Sequence, residues 1–107
     1  MVTLQKTSEC SEETYITIQY DIKLNDITIG YISLMTDEKS TYMERIDIAE
    51  EYQNKGYGTQ AITELKSIYS NIFTAPDNVD AQRLYNRLGN VSYQHNEVDQ
   101  GYGEYTL

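Results

Sequence analysis

From Tyr15 to Leu24 the chain alternates with a period of two. Ile16, Ile18, Tyr20, Ile22 and Leu24 fall on one side, and Thr17, Gln19, Asp21 and Lys23 on the other. Successive side chains of an extended chain point to opposite faces, so this pattern predicts a half-buried strand. Asn25-Asp26 follows, and both residues tolerate the left-handed conformations a two-residue hairpin needs. The next run, Ile27 to Met35, is apolar at both parities and is expected further inside the sheet. After the charged connection Asp37-Glu38-Lys39-Ser40, a third strand is predicted from Thr41 to about Ala49. Strict alternation puts Tyr42, Glu44, Ile46 and Ile48 on one face, with Met43, Arg45 and Asp47 on the other. Residues 1–13 are polar and weakly patterned, with Val2 and Leu4 hinting at a short edge strand.

Past Gly58 the period changes. Ala61, Ile62, Leu65, Ile68 and Tyr69 form one stripe at helical spacing, which predicts a helix from about Thr59 to Tyr69. Asn71 to Ala75 reads as a short strand, and Pro76-Asp77-Asn78 as a stop followed by a capping residue. A second helix carries Ala81, Leu84, Tyr85 and Leu88 on one face and ends at Gly89. Val91–His95 and Tyr102–Leu107 are expected to pair antiparallel across Asn96–Gly101. The order is strand, strand, strand, helix, strand, helix, strand, strand. It implies a single α/β (mixed α+β) domain over residues 1–107, with a β-α-β crossover in the middle of one sheet.

Composition adjusts this picture. Apolar residues make up 39% of the chain, and its aromatic residues are 11 Tyr and 1 Phe with no Trp, so the core must draw on tyrosine. The net charge of −9 argues against a nucleic-acid partner, which calls for a basic footprint. It suits a cationic partner such as an amine or a basic peptide segment, unless it serves only solubility. The single cysteine, Cys10, excludes an internal disulfide and a cysteine-rich zinc site, and no metal is expected. His95, the one histidine, is distant in sequence, so Cys10 reads as a plain, partly exposed thiol. No apolar run is long enough for a signal peptide or membrane span, and a reducing cytoplasm is the expected setting.

The candidate chemistry sits at Gln53-Asn54-Lys55-Gly56-Tyr57-Gly58-Thr59, between an apolar strand and an amphipathic helix. The first amides of a helix lack internal partners and carry partial positive charge, so a phosphate there accepts several N–H bonds at once. Glycine at 56 and 58 clears side chains from that approach, and Lys55 can add charge at the rim. The loop is not a Walker sequence, and it lacks the third glycine of the dinucleotide fingerprint, where Ala61 stands. On its own a Gly-x-Gly pair is also compatible with an ordinary turn.

The segment Ile46-Asp47-Ile48-Ala49-Glu50-Glu51-Tyr52-Gln53-Asn54-Lys55-Gly56-Tyr57-Gly58 resembles the central motif of the GNAT superfamily of N-acetyltransferases. The preceding hairpin matches as well, with Asn25-Asp26 at the turn and Ile29-Gly30-Tyr31-Ile32 after it. Downstream, the segment from Asn78 through Ala81 and Tyr85 to Gly89 is similar to the family's second signature helix. The resemblance covers about residues 15–107 and implies a GNAT-like central mixed sheet, mostly antiparallel, around a β-α-β core that binds acetyl-CoA.

By that resemblance the main chain of Ile46, Asp47 and Ile48 pairs with the pantetheine arm, and amides from Gln53 through Thr59 hold the pyrophosphate. Asn78 corresponds to a cofactor-contacting asparagine; as an ordinary N-cap it would contribute about 1 kcal/mol. Tyr85 matches the tyrosine that protonates the leaving thiolate, although its spacing with Leu84 and Leu88 also fits a core stripe. A phenol, with a pKa of about 10, is protonated at neutral pH and can serve as that acid. Transfer to a lysine-type amine, pKa about 10.4, needs a base. Glu44, four residues before Ile48, is the first candidate, expected to be partly buried with a raised pKa, ahead of Tyr42 and Asp47. The bland alternative for Glu44 is a solvated strand carboxylate.

Family members place a strand and two helices before the hairpin, where this chain has residues 1–13. One side of the sheet is therefore expected to be open or covered by a second subunit, as in a homodimer. An open side favours a protein lysine or N-terminus as acceptor. Asn90 stands where the family has an aromatic residue. The resemblance as a whole implies direct acetyl transfer from acetyl-CoA to an amine. The alternatives are a reduced GNAT-like domain that binds acetyl-CoA or a protein without catalysis, and a small binding domain with no nucleotide ligand.

Overall fold

The computed structural model describes residues 1–76, 79–88, 92–94 and 104–107. Among them, strands β1 (Val2–Ser11), β2 (Ile16–Leu24), β3 (Ile27–Thr36) and β4 (Thr41–Ile48) form an antiparallel meander. A 3-10 turn at Glu50–Tyr52 leads into helix α1 (Tyr57–Ile68), followed by β5 (Ile72–Thr74) and helix α2 (Val79–Arg87). Strands β6 (Ser92–Gln94) and β7 (Glu104–Thr106) complete a seven-stranded sheet in the order β1-β2-β3-β4-β5-β7-β6. Only the β4–β5 pair is parallel among the described strands, joined through α1 as the expected crossover.

Alternation predicts β2 well because one of its faces lies on a core, and β3, apolar at both parities, is an interior strand as expected. Ile18, Tyr20 and Ile22 of β2 and Ile32 and Leu34 of β3 are buried on that inner face. Ala61, Ile62 and Leu65 of α1 pack against it, together with Met43, Ile72, Tyr85 and Tyr105. Tyrosine does supply core volume here. Tyr85 and Tyr105 are 2% and 1% exposed, with ring centroids 5.5 Å apart. Tyr20 meets Tyr69 edge to face, their hydroxyls 2.9 Å apart.

Two expectations change. Residues 1–13 hold a long edge strand rather than a short one: β1 pairs with β2 from Val2↔Leu24 to Ser11↔Ile16. Its polar residues fit that place, since an edge strand is held by main-chain bonds and needs few apolar side chains. The apolar stripe of α1 is also shorter than its spacing suggests. Ile68, at the last helical position, is 54% exposed, and Tyr69 lies beyond the helix. Gly89, Asn90, Val91 and the 95–103 connection lie outside the described residues.

Candidate active site

The site begins where β4 leaves β5. The parallel pair extends over only three steps, Thr41↔Ile72, Tyr42↔Phe73 and Met43↔Thr74. Beyond Met43, β4 runs on to Ile48 beside β3, with no β5 partner among the described residues. A bulge marks the parting: Ser33 pairs with Arg45 but Leu34 with Met43, which leaves Glu44 as the extra residue. A bulge bends its strand and increases the local twist, and here it coincides with the fork.

The bulge also corrects the assignment of faces. Across it the parity shifts, so Thr41 and Met43 share the inner face with Ile46 and Ile48, which pack on the core. Tyr42 is on the opposite face from Ile46 and Ile48, with Arg45 and Asp47. Glu44 is exposed, not partly buried as the unbroken alternation implies.

Past the fork lies a cleft of about 380 Å³. Ile46, Asp47 and Ile48 line one side, Gln53, Asn54, Gly56, Gly58 and Thr59 one end, and Ala81, Arg83, Leu84 and Arg87 of α2 the other side. Gly30 explains how β3 can back this wall so closely. A Cβ there would lie 2.1 Å from the Asp47 carbonyl oxygen.

The glycine loop has the geometry its sequence suggests, with one addition. Gly56 is the N-cap of α1 in the left-handed region, φ 85°, and among the described residues no side chain caps the helix. Asn54 is also left-handed, φ 61°. The Gln60 N–H donates to the carbonyl of the N-cap, Gly56, at 3.1 Å, so the amides of Tyr57, Gly58 and Thr59 precede the helical ladder. Such amides, with the helix dipole behind them, favour an anion. Gly58 has a further reason to be glycine: a Cβ would come within 3.1 Å of Leu84 Cδ2, so it lets α2 approach α1.

Other loop residues support the backbone. Gln53 Nε2 donates to the Ile48 carbonyl at 2.8 Å, tying the loop to the end of β4. Tyr57 is half-buried against Tyr52, ring centroids 6.4 Å apart. Lys55 is exposed and is not among the described residues lining the cleft; among those, the cations that line it are Arg83 and Arg87. Sequence reasoning missed both arginines, although their separation of four places them on one side of α2. Asn78 lies outside the described residues.

Tyr85 fills the core stripe that its spacing with Leu84 and Leu88 allows, and it is not among the described residues lining the cleft. Its ring is in the core, and its hydroxyl lies 3.4 Å from Thr74 Oγ1. Thr74 Oγ1 in turn donates to the Met43 carbonyl at 2.9 Å. Met43↔Thr74 is the last pair between β4 and β5, so the phenol stands at the point of the fork. On the outer face, the Asp47 carboxylate accepts from Arg45 Nε at 2.9 Å and from the Tyr31 hydroxyl at 3.2 Å. Cys10 is exposed.

With this geometry the chain matches the model of the Acetyltransferase (GNAT) family over residues 3–89. The chain belongs to the GNAT acetyltransferase family. The match begins within β1, upstream of the residues that carry the motif resemblance. A search of the curated proteins finds no match.

Solved structures share the GNAT fold. One is the KacTA–DNA complex, 13% identical over 100% of this chain and 92% of that chain, with a TM-score of 0.72. A second is a GNAT family acetyltransferase from Elizabethkingia anophelis with acetyl-CoA bound. It is 14% identical over 98% of this chain and 94% of that chain, with a TM-score of 0.65. A third is the ribosomal-protein-S18-alanine N-acetyltransferase from Escherichia coli, 14% identical over 99% and 90%, with a TM-score of 0.63. The charge argument against a nucleic-acid partner gains no support from these neighbours, since one of them is a complex with DNA. Among the described residues no helix is long and apolar enough to cross a membrane.

Proposed function

We propose that this GNAT domain is an acetyl-CoA-dependent N-acetyltransferase acting in the cytoplasm, which moves the acetyl group directly to an amine, a protein lysine or N-terminus. The observation that carries the reading is the fork itself. A strand whose edge has no β5 partner among the described residues, a glycine-rich helix start at the cleft's end and a buried phenol beside Thr74 at the fork meet around one cleft. Acetyl-CoA bound in GNAT neighbours, the enzyme from Elizabethkingia anophelis among them, supports the same cofactor here.

The residues fit that cofactor. Main-chain groups of Ile46, Asp47 and Ile48 along the open edge of β4 would take the amides of the pantetheine arm. The loop from Gln53 to Thr59 would hold the pyrophosphate through its amides, with Gln53 bracing it and Arg83 and Arg87 balancing the phosphate charge. Asn78 would contact the arm as α2 begins. In the transfer, the amine nitrogen bonds to the acetyl carbon as the carbon–sulfur bond breaks. Glu44, exposed beside the fork, first takes the ammonium proton through water. Tyr85 donates its hydroxyl proton to the departing sulfur, and the second proton that the nitrogen sheds as it becomes an amide returns through water to the Tyr85 phenolate.

The reading in which the domain binds acetyl-CoA or a partner without turnover is favoured by the place of both catalytic candidates. Glu44 is exposed, Tyr85 is buried, and neither is among the described residues lining the cleft. Incubation with labelled acetyl-CoA and a panel of amines and proteins decides between them. Label transfer that is lost in Tyr85→Phe and reduced in Glu44→Gln supports the enzyme. Coenzyme binding with no transfer to any acceptor supports the binding domain.

A further inference from the structure

We propose that the acceptor is a polypeptide segment with lysine or arginine beside the reacting amine, and that it lies across the outer face of the sheet over Met35, Tyr42 and Phe73. This rests on the acetyltransferase reading above. The core side chains of α1 and α2 pack on the inner face. On the outer face, register aligns Met35 with Tyr42 and Tyr42 with Phe73, one residue short of the fork at Met43 and Thr74. Tyr42 is 39% exposed, while Met35 and Phe73 are half-buried. An apolar row across three neighbouring strands is roughly 10 Å long, enough to seat about three extended residues. Tyrosine and methionine are side chains that bind peptides with little ordering cost or rigid demand.

Charge gives the row a direction. At the phosphate end of the strands the cleft is lined by Arg83 and Arg87. At the other end, the turns after β1 and β3 bring Glu12, Glu13, Asp37 and Glu38 into one depression of about 390 Å³. Asp37 accepts main-chain N–H bonds from Lys39 and Ser40 at 2.8 and 2.9 Å, which hold its carboxyl below the usual range and keep it charged. A cationic flank laid over Tyr42 is drawn toward these turns. A nucleic acid would meet repulsion there, and a second copy would bring a net charge of −9 against the same charge.

The test uses the full chain saturated with CoA and two labelled peptides of equal length, each with one central lysine. One is flanked by arginine and lysine, the other by serine and glutamine. Fluorescence anisotropy should show the basic peptide binding roughly tenfold tighter at low salt, an advantage that shrinks as salt is added. The variant Glu12→Gln/Glu13→Gln/Glu38→Gln should lose that preference, and Tyr42→Ser should weaken both peptides, with CoA affinity unchanged in each. Equal binding of the two peptides overturns the proposal. So does a preference that survives the charge variant, displacement of the peptide by duplex DNA, or a dimer in sedimentation that Tyr42→Ser dissolves. Failure of the acetyltransferase reading looks different: CoA binding or label transfer is absent while the peptide preference stays measurable on the coenzyme-free protein.

Discussion

The two halves of β4, on either side of Glu44, share a strand and little else. Thr41 to Met43 is paired with β3 on one side and β5 on the other, and Met43 is fully buried. Ile46 to Ile48 keeps its β3 partners, but faces the cleft where β5 would continue, and its inner-face side chains are half-buried. Every main-chain N–H and carbonyl needs a partner in protein, water or ligand. In the first half the fold supplies it. In the second half β3 supplies it along one edge and Gln53 takes the Ile48 carbonyl, while the edge toward the cleft has no β5 partner among the described residues, and that difference makes this half the candidate site.

Tyr85→Phe acts where the halves meet and should have the largest effect. Loss of the proton donor should lower turnover on the order of 10²–10⁴-fold. Stability should fall by only about 1 kcal/mol, because Thr74 keeps its bond to the Met43 carbonyl. Turnover with a labelled acceptor and urea unfolding read the two quantities separately. Met43→Ala and Ile46→Ala compare the halves directly. The buried methionine should cost roughly 2–5 kcal/mol in urea unfolding, and the half-buried Ile46 clearly less. Equal costs would remove the distinction.

Gly56→Val sharpens the comparison at the loop. A side chain in the left-handed region costs about 1–2 kcal/mol. A Cβ at Gly56 meets nothing within 4 Å, so the cost comes from the backbone rather than from packing. CoA affinity by calorimetry should fall further than stability does. Glu44→Gln, at an exposed bulge position, should change stability by less than about 0.5 kcal/mol. Any loss of turnover then reports on chemistry. The smallest effect is at Tyr69, whose hydroxyl is held above the usual tyrosine range by burial and by Tyr20. The unfolded chain releases that proton first, so stability should fall as pH rises past about 10. Alkaline unfolding of Tyr69→Phe should show a shallower slope.

Much of this was legible in the chain. β2 and the inner faces of β3 and α1 follow from periodicity, because a core reads every second or every third-to-fourth residue. The loop was legible because Gly56 needs a conformation other residues avoid. The bulge at Glu44 was not. Alternation runs through it without interruption, and the shift of parity comes from the pairing with β3, a long-range property no local pattern encodes. That is why Tyr42 and Glu44 were placed with Ile46, and why a partly buried carboxylate was expected. The role of Gly58 against Leu84 and that of Gly30 against Asp47 were hidden for the same reason. Arg83 and Arg87 left a visible signal in their spacing, which means something only once α2 is known to flank the cleft.

The most direct test of the forked-strand site is a titration of the ¹⁵N-labelled protein with CoA, followed by amide chemical shifts. The largest changes should fall on Tyr57, Gly58 and Thr59 and on Ile46 to Ile48, while Thr41 to Met43 stays nearly still. Binding that moves neither the loop nor the second half of β4, or the absence of binding at millimolar CoA, would contradict it.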